Sequence, residues 1–469
     1  MATQRDSRPG GGTCDGSPCG LVRFLARHPA ARRAFAKVGR TRLADRFFGL
    51  LARAAIARYR NRAVDYRALA DSCACEGAGH ADSAGEDDIE REFLCGLMAR
   101  ASTRAKLPRF LQGLEGLDSG VRSGLLKTWF HASIVTASLR EAEFLTQRPD
   151  RCGAARPLDA MVAPFGRCNL ACLGCYAAGQ LDRDSASRAQ LDSVVAQLKR
   201  LNVYHVMLVG KGEPFHDARS RRCLFEIARR HPQIFFSVYS NGTMVLPDDI
   251  RQLRKLPNLI PVLSLDGPEE INDWRRGPGV YRKVVDTFRR MQDQGLLFGY
   301  ISTVFRQNCQ AVLEPQFVGR MEQLGCRLGY YSLFIAPDAT AGGDADCQGM
   351  MLDARQRAEY CRRFAALDAA AAMLLIDIDG IEAHVGCRAK RGATLYVDAL
   401  TGQVSPCIRA PLEAADCNVY HPAGPDRLKQ VLQSEPFRRY RQDRPALRTC
   451  AAFARAELVC GQPKEEPAS

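Results

Sequence analysis

An α/β fold with a parallel sheet is predicted by the alternation of short apolar runs and helical segments that begins at Leu158. The apolar runs have the length of strands, and apolar residues recur at helical intervals between them. Strands that alternate with helices in this way form a parallel sheet with the helices packed outside it. The predicted strands are Leu158–Ala163, His205–Val209, Phe235–Tyr239, Ile260–Leu265, Phe298–Val304 and Tyr330–Ile335. The main predicted helices are Ser187–Leu201, Leu224–Arg230, Tyr281–Gln294 and Gln316–Leu324.

Length and composition divide the 469-residue chain into four parts. Residues 1–20 are rich in Gly, Ser, Pro and Arg, and we expect a disordered tail. Residues 21–150 have a helical pattern and form a predicted basic helical domain. The α/β core is expected at 151–345, and a smaller C-terminal extension at 346–469.

The 19 cysteines point to metal clusters rather than to disulfides. The first residues lack the apolar segment of a secretion signal, and no window offers the roughly 18 apolar residues of a membrane-spanning helix. We therefore expect a reducing, cytoplasmic location.

Positive charge is concentrated in one segment. Twelve basic residues and a single acid, Asp45, lie between Leu21 and Val64. Within this segment Leu43–Arg60 is amphipathic, so it is either a surface helix with a solvated arginine face or a contact for an anionic membrane surface or an acidic peptide. The membrane alternative would add peripheral attachment at the inner membrane surface. No nucleic-acid-binding module is recognisable, so nucleic acid is not an expected partner.

Three cysteines follow the first predicted strand with the spacing C-x3-C-x2-C: Cys168, Cys172 and Cys175. They could be core residues or part of a zinc site, but zinc usually requires a fourth nearby ligand, and no Cys or His follows before His205. Three thiolates on one loop can instead hold a four-iron cluster and leave one iron without a protein ligand. An open iron of this kind can bind a small molecule.

This loop resembles the cluster loop of the radical S-adenosylmethionine (SAM) superfamily. The resemblance implies a partial (β/α)6 barrel, preceded here by the helical domain and followed by the extension. It also implies that SAM binds the open iron of a [4Fe–4S] cluster on the three cysteines, and is cleaved reductively to a 5′-deoxyadenosyl radical. That radical abstracts hydrogen from an unactivated C–H bond. A reducing electron donor such as flavodoxin or ferredoxin is the implied partner.

The resemblance extends to residues at the ends of later strands. Gly210-Lys211-Gly212-Glu213-Pro214 is similar to the superfamily's Gly-Gly-Glu-Pro motif, which holds the amino group of SAM. Lys211 stands where a glycine is usual, and a side chain is tolerated there only if φ is negative. The other implied SAM contacts are Asn241, Ser264 and Asp266 near the ribose, Arg276 in preference to Arg275 for the carboxylate, and Tyr176 at the adenine. The resemblance assigns no catalytic side chain.

A second cysteine pattern lies in the extension. Thr394–Asp398 and Gln403–Ser405 flank a turn and predict a hairpin that returns Cys407 towards Cys387. This resembles the opening half of the SPASM and twitch extensions, which bind auxiliary [4Fe–4S] clusters. Too few cysteines follow for two clusters, so the pattern implies one auxiliary cluster, on Cys387, Cys407 and Cys450, with Cys460 or substrate as the fourth ligand. The alternative is a set of buried thiols without metal.

Three hypotheses of function follow. The first is a radical SAM enzyme that modifies a lipid or membrane-linked substrate, which the basic segment favours. The second is maturation of a ribosomally made peptide, a common association of SPASM-like extensions. The third, from another class, is a non-catalytic iron–sulfur protein with a structural or redox role.

Overall fold

This computed structural model describes residues 113–130, 132, 157–178, 184–336, 345–379, 387–390, 392–412 and 414–442. The predicted tail, the basic segment at 21–64, Cys450 and Cys460 lie outside the described residues. Among the described helices, none combines the length and apolarity needed to cross a bilayer.

The described core alternates strands and helices, as the sequence predicts. The strands are β1 (Asp159–Ala163), β2 (His205–Leu208), β3 (Phe235–Ser240), β4 (Leu259–Ser264), β5 (Gly299–Val304), β6 (Leu328–Leu333), β7 (Leu374–Asp377), β8 (Thr394–Asp398) and β9 (Val404–Ser405). The helices up to β5 are α1 (Ser119–Phe130), α2 (Arg188–Arg200), α3 (Ala218–Arg230), α4 (Pro247–Arg254), α5 (Glu269–Arg276) and α6 (Val280–Asp293). The later helices are α7 (Pro315–Gln323), α8 (Ala354–Ala370), α9 (Arg427–Leu432) and α10 (Glu435–Gln442), and short 3₁₀ turns lie at Leu114–Gly116, Ala311–Leu313 and Ala345–Met350.

The nine strands of the described residues belong to one sheet in the order β7-β6-β5-β4-β3-β2-β1-β8-β9. Neighbours from β7 through β8 pair in parallel, and β9 pairs antiparallel with β8. The predicted α/β class is therefore confirmed. The hairpin is also confirmed, and it lies beside β1 as part of the sheet rather than apart from it.

The two faces of the sheet differ in burial. Val162, Val206 and Val238 point to one side and are fully buried among apolar residues of the helices. Several of the alternate residues, which face the other side, are half-buried, for example Met161 and Met207. The first face is thus the core between sheet and helices, and the second is an accessible inner surface.

The sheet curves around that inner surface. The rings of Tyr239 on β3 and Tyr330 on β6 pack edge to face with centroids 6.1 Å apart. In a flat sheet these strands would lie about 14 Å apart, so the contact requires curvature. The two ends of the sheet also meet, because Arg409, which follows β9, donates to Asp379 after β7 at 2.5 Å and to Ser332 on β6 at 3.0 Å. The curved sheet is consistent with a partial barrel.

Arg409→Met is expected to lower the free energy of unfolding by about 2 kcal/mol, because it leaves the buried Asp379 carboxylate without its cation. Denaturant unfolding of the cluster-free chain measures this. Arg188→Met is the control, since it removes an exposed ion pair to Glu226 on the outer helices and should cost about 0.5 kcal/mol or less. Equal losses in the two variants would mean that the Arg409 contact does not hold the ends of the sheet together.

Candidate active site

The loop after β1 carries three free, half-buried thiols: Cys168, Cys172 and Cys175. Main-chain hydrogen bonds fasten this loop to its neighbours. Arg167 O accepts from Glu213 N at 2.7 Å, and Arg275 O accepts from Leu173 N at 2.8 Å. These contacts leave the thiols available for other ligands.

The donor set fits an iron–sulfur cluster. Burial raises the pKa of the Cys168 and Cys172 thiols, and at Cys172 the guanidinium groups of Arg276 and Arg275 oppose that effect. Within the described part of the chain, no three His, Cys, Asp or Glu side chains are grouped closely enough to hold a single metal ion. A cluster spans several atoms and spaces its thiolate ligands more widely than one ion does.

The loop after β2 packs against the cysteine loop without room for side chains. A Cβ at Gly212 would lie 2.6 Å from Arg167 O and 2.8 Å from Phe165 C. Gly210 has φ of +122°, and a Cβ there would lie 2.6 Å from that of Ala163. Lys211 between them does not have a positive φ, since Asn202 is the sole non-glycine residue in that region among those described. The residue that departs from the superfamily motif is therefore unstrained.

Glu213 is the most enclosed carboxylate of this loop, at 2% exposure. Its Oε1 accepts from Ser240 Oγ at 2.7 Å and from Phe215 N at 3.0 Å, and its Oε2 accepts from Asn241 N at 2.7 Å. Burial raises the pKa of Glu213, and these hydrogen bonds oppose that rise. Oε2 has one protein donor here, so it keeps acceptor capacity for a ligand.

Asn241, directly after β3, connects the strand ends to the cysteine loop. Its Nδ2 donates to Asn169 Oδ1 at 2.9 Å and makes a longer contact of 3.8 Å to Cys168 Sγ. Its Oδ1 accepts from Thr243 N at 2.9 Å. Asn241 thus lies beside Cys168 and binds Asn169 of the cysteine loop.

Asp266 is fully buried below the cysteine loop rather than open to a ligand. Its Oδ2 accepts from Arg275 Nη1 and from Arg276 Nε, each at 2.6 Å, and its Oδ1 accepts from Thr303 N at 2.9 Å. The two guanidinium groups hold the pKa of Asp266 below its usual value although burial opposes them. One carboxylate for two cations leaves a net positive charge close to Cys172, and that charge would suit an anionic group of a ligand.

Two other predicted contacts lie at the open end of the barrel. Ser264 ends β4 on the inner face and is half-buried. Tyr176 follows the last cysteine of the loop, and 46% of its surface is exposed. The Tyr176 hydroxyl lies 3.7 Å from the Cβ position of Gly210, so the ring covers the β2 loop. Pro214 follows Glu213 and is buried.

The described part of the extension holds two of its four predicted ligands. Cys387 is buried and Cys407 is half-buried. Cys407 Sγ accepts from Arg409 N at 3.5 Å. Burial raises the pKa of another thiol of the extension, Cys417, which packs in the main core.

Three contributors to the site are not in the predicted set. Ser240 holds the Glu213 carboxylate, Arg275 shares Asp266 with Arg276, and Asn169 binds Asn241. Ser240 and Asn169 lie next to predicted residues, so position along the strand and loop was the available signal. Arg275 and Arg276 are adjacent, and the sequence alone does not reveal that both reach one carboxylate.

A family model matches the central part of the chain. Residues 162–310 match the model of the Radical SAM superfamily. The fold is similar to that of SuiB from Streptococcus suis bound to S-adenosylmethionine, with a TM-score of 0.53 and 17% identity over 76% of this chain and 83% of that chain. SuiB bound to its precursor peptide SuiA gives a TM-score of 0.53 and 16% identity, over 69% of this chain and 79% of that chain. The chain has no significant match among curated protein sequences.

The match and the site define the class. The chain contains a radical SAM domain, and it is a radical SAM enzyme whose cofactors are a [4Fe–4S] cluster and SAM.

Gly212→Ala is expected to destabilise the cysteine loop, because the added Cβ meets main-chain atoms that cannot rotate away. We expect a loss of about 1–3 kcal/mol in the free energy of unfolding and less iron bound after reconstitution. Gly319→Ala is the control, since a Cβ at Gly319 in α7 would meet nothing within 4 Å. Full iron content and unchanged stability in Gly212→Ala would contradict the packing described here.

Proposed function

We propose that this radical SAM enzyme matures a ribosomally made peptide. The main support for this proposal is the length of chain over which the fold resembles that of SuiB. The family model spans residues 162–310, whereas the likeness to peptide-bound SuiB covers 69% of this chain. The shared fold therefore reaches well beyond the SAM-binding domain. This supports a peptide substrate over the lipid or membrane-linked alternative, whose basic segment lies outside the described residues.

We propose that SAM binds between the cysteine loop and the ends of β2 to β5. Glu213 and the main chain of Gly210 and Gly212 would hold its amino group, and the positive charge around Arg276 would hold its carboxylate. Ser264 offers a hydroxyl for the ribose and Tyr176 a ring for the adenine. Asp266 would act indirectly, by orienting Arg276, because its side chain is fully buried and its Oδ2 is shared by the guanidinium groups of Arg275 and Arg276.

The three thiols Cys168, Cys172 and Cys175 are the proposed cluster ligands. When bound, the reduced cluster and SAM supply a 5′-deoxyadenosyl radical, which abstracts hydrogen from an unactivated C–H bond. The protein contributes orientation and exclusion of water. Main-chain contacts hold the loop, and buried Glu213 and Asn241 shield its inner side.

The peptide is proposed to reach the radical along the inner face of the barrel. The half-buried residues there combine apolar and hydroxyl groups, for example Ile301, Thr303 and Tyr330. Burial raises the pKa of Tyr330 to about 12, so its hydroxyl stays protonated at neutral pH and can donate a hydrogen bond. Such a surface suits the side chain and main chain of an extended peptide.

An auxiliary [4Fe–4S] cluster is proposed for the extension. Its ligands would be Cys387, Cys407 and Cys450, with Cys460 or substrate as the fourth. It could bind the peptide or accept the electron left after substrate oxidation. The electron for SAM cleavage would come from a donor such as flavodoxin or ferredoxin.

Anaerobic reconstitution tests the cluster assignment. We expect about eight irons per chain in the wild type and about four in the Cys168→Ala/Cys172→Ala/Cys175→Ala variant. 5′-Deoxyadenosine should form with the wild type alone under strong reductant. About four irons in the wild type and no 5′-deoxyadenosine would remove the auxiliary cluster and support the non-catalytic alternative.

A peptide pull-down and mass spectrometry test the substrate class. Short acidic peptides encoded near this chain's gene should bind the protein. After turnover with SAM, the mass of the bound peptide should fall by the mass of the hydrogen atoms that the reaction removes. Vesicles of anionic lipid test the alternative, a lipid or membrane-linked substrate. Binding to vesicles, lost when the arginines of 43–60 become Glu, together with no peptide capture, would overturn the peptide assignment in favour of the lipid alternative.

A further inference from the structure

The loop that is proposed to hold SAM contains Lys211, whose side chain extends away from the loop. Gly210 and Gly212 face Ala163 and the cysteine loop, where a Cβ would not fit. Lys211 between them extends instead to Asp398 at the end of β8, with Nζ 2.6 Å from Oδ2. The two residues are 187 positions apart in sequence.

The Lys211–Asp398 pair is enclosed. The two side chains are 12% and 6% exposed. Because an enclosed ion pair has lost its hydration, either partner alone is strongly unfavourable, and the pair holds a defined geometry rather than a loose surface contact. A lysine on an exposed turn would not be constrained in this way.

Asp398 also lies where β8 enters the turn of the β8–β9 hairpin. Its Oδ1 accepts from Leu400 N at 3.0 Å, and its main-chain O accepts from Gly402 N at 2.7 Å. The next residue, Ala399, donates its N–H to Ala163 O at 3.0 Å, at the start of the cysteine loop. The pair therefore joins three segments: the SAM loop, the cysteine loop and the hairpin that leads to Cys407.

We infer that Lys211 is a positioning residue for SAM, which sets the main chain of 210–213 through its ion pair with Asp398 and so makes SAM binding depend on the C-terminal hairpin. The inference rests on the proposed SAM site. In the superfamily motif a glycine stands at this position, so this link is a property of the present chain's own residues.

Equilibrium SAM binding to the iron-replete full chain tests the inference. Lys211→Met and Asp398→Asn should each raise the SAM Kd by about tenfold, and the double variant should be no weaker than the weaker single variant, because both remove one interaction. Lys211→Arg keeps the charge and should stay within about threefold of the wild type. Arg363→Met is the control, since it removes a 2.6 Å ion pair between α8 and Glu314, the residue before α7, and neither partner contacts Lys211 or Asp398 in the ion pairs of the described residues.

Hydrogen exchange on the cluster-free full chain supplies a readout that does not depend on cofactors. Lys211→Met should speed amide exchange in 209–214 and in 398–403, and Arg363→Met should not. Iron content should be equal in all variants. A wild-type SAM Kd and unchanged exchange in iron-replete Lys211→Met would overturn the inference. Failure of the wild type itself to bind SAM would instead overturn the proposed function.

Discussion

The site depends on one constraint: the cysteine loop is held by main-chain contacts, so its thiols do not have to stabilise it. Glu213 N and Arg275 O each make a hydrogen bond to this loop, and Gly212 packs against its backbone too closely for any Cβ. Glu213 and Gly212 lie on the loop after β2, and Arg275 lies on α5, which follows β4, so the parallel sheet brings these contacts to one edge. The loop can therefore keep three half-buried thiols in place before a cluster forms.

Much of the fold could be predicted because its strands are short apolar runs between helices. The six predicted core strands are present, although β6 begins two residues earlier than predicted. The sequence does not predict β7, because only three residues separate its four residues from an alanine-rich helix. The charged helices α4 and α5 were missed as elements because each has eight residues and few apolar ones.

The site was less predictable than the fold, because its decisive contacts join distant segments. Motif positions indicated Glu213, Asn241 and Arg276, and the structure brings all three beside the cysteine loop. The sequence could not show that Asp266 is fully enclosed by two arginines, or that Lys211 reaches Asp398. Such pairings follow from the register of β1 with β8 and from the order of the strands, which local patterns do not encode.

Electron paramagnetic resonance tests the central claim most directly, namely that the three-cysteine loop holds a cluster with an open iron that binds SAM. The Cys387→Ala/Cys407→Ala variant should be used, so that the signal comes from the loop cluster alone. We expect a reduced [4Fe–4S] signal whose g values shift when SAM is added, because SAM becomes a ligand of the open iron. A signal that SAM leaves unchanged, or no cluster signal in this variant, would contradict the account.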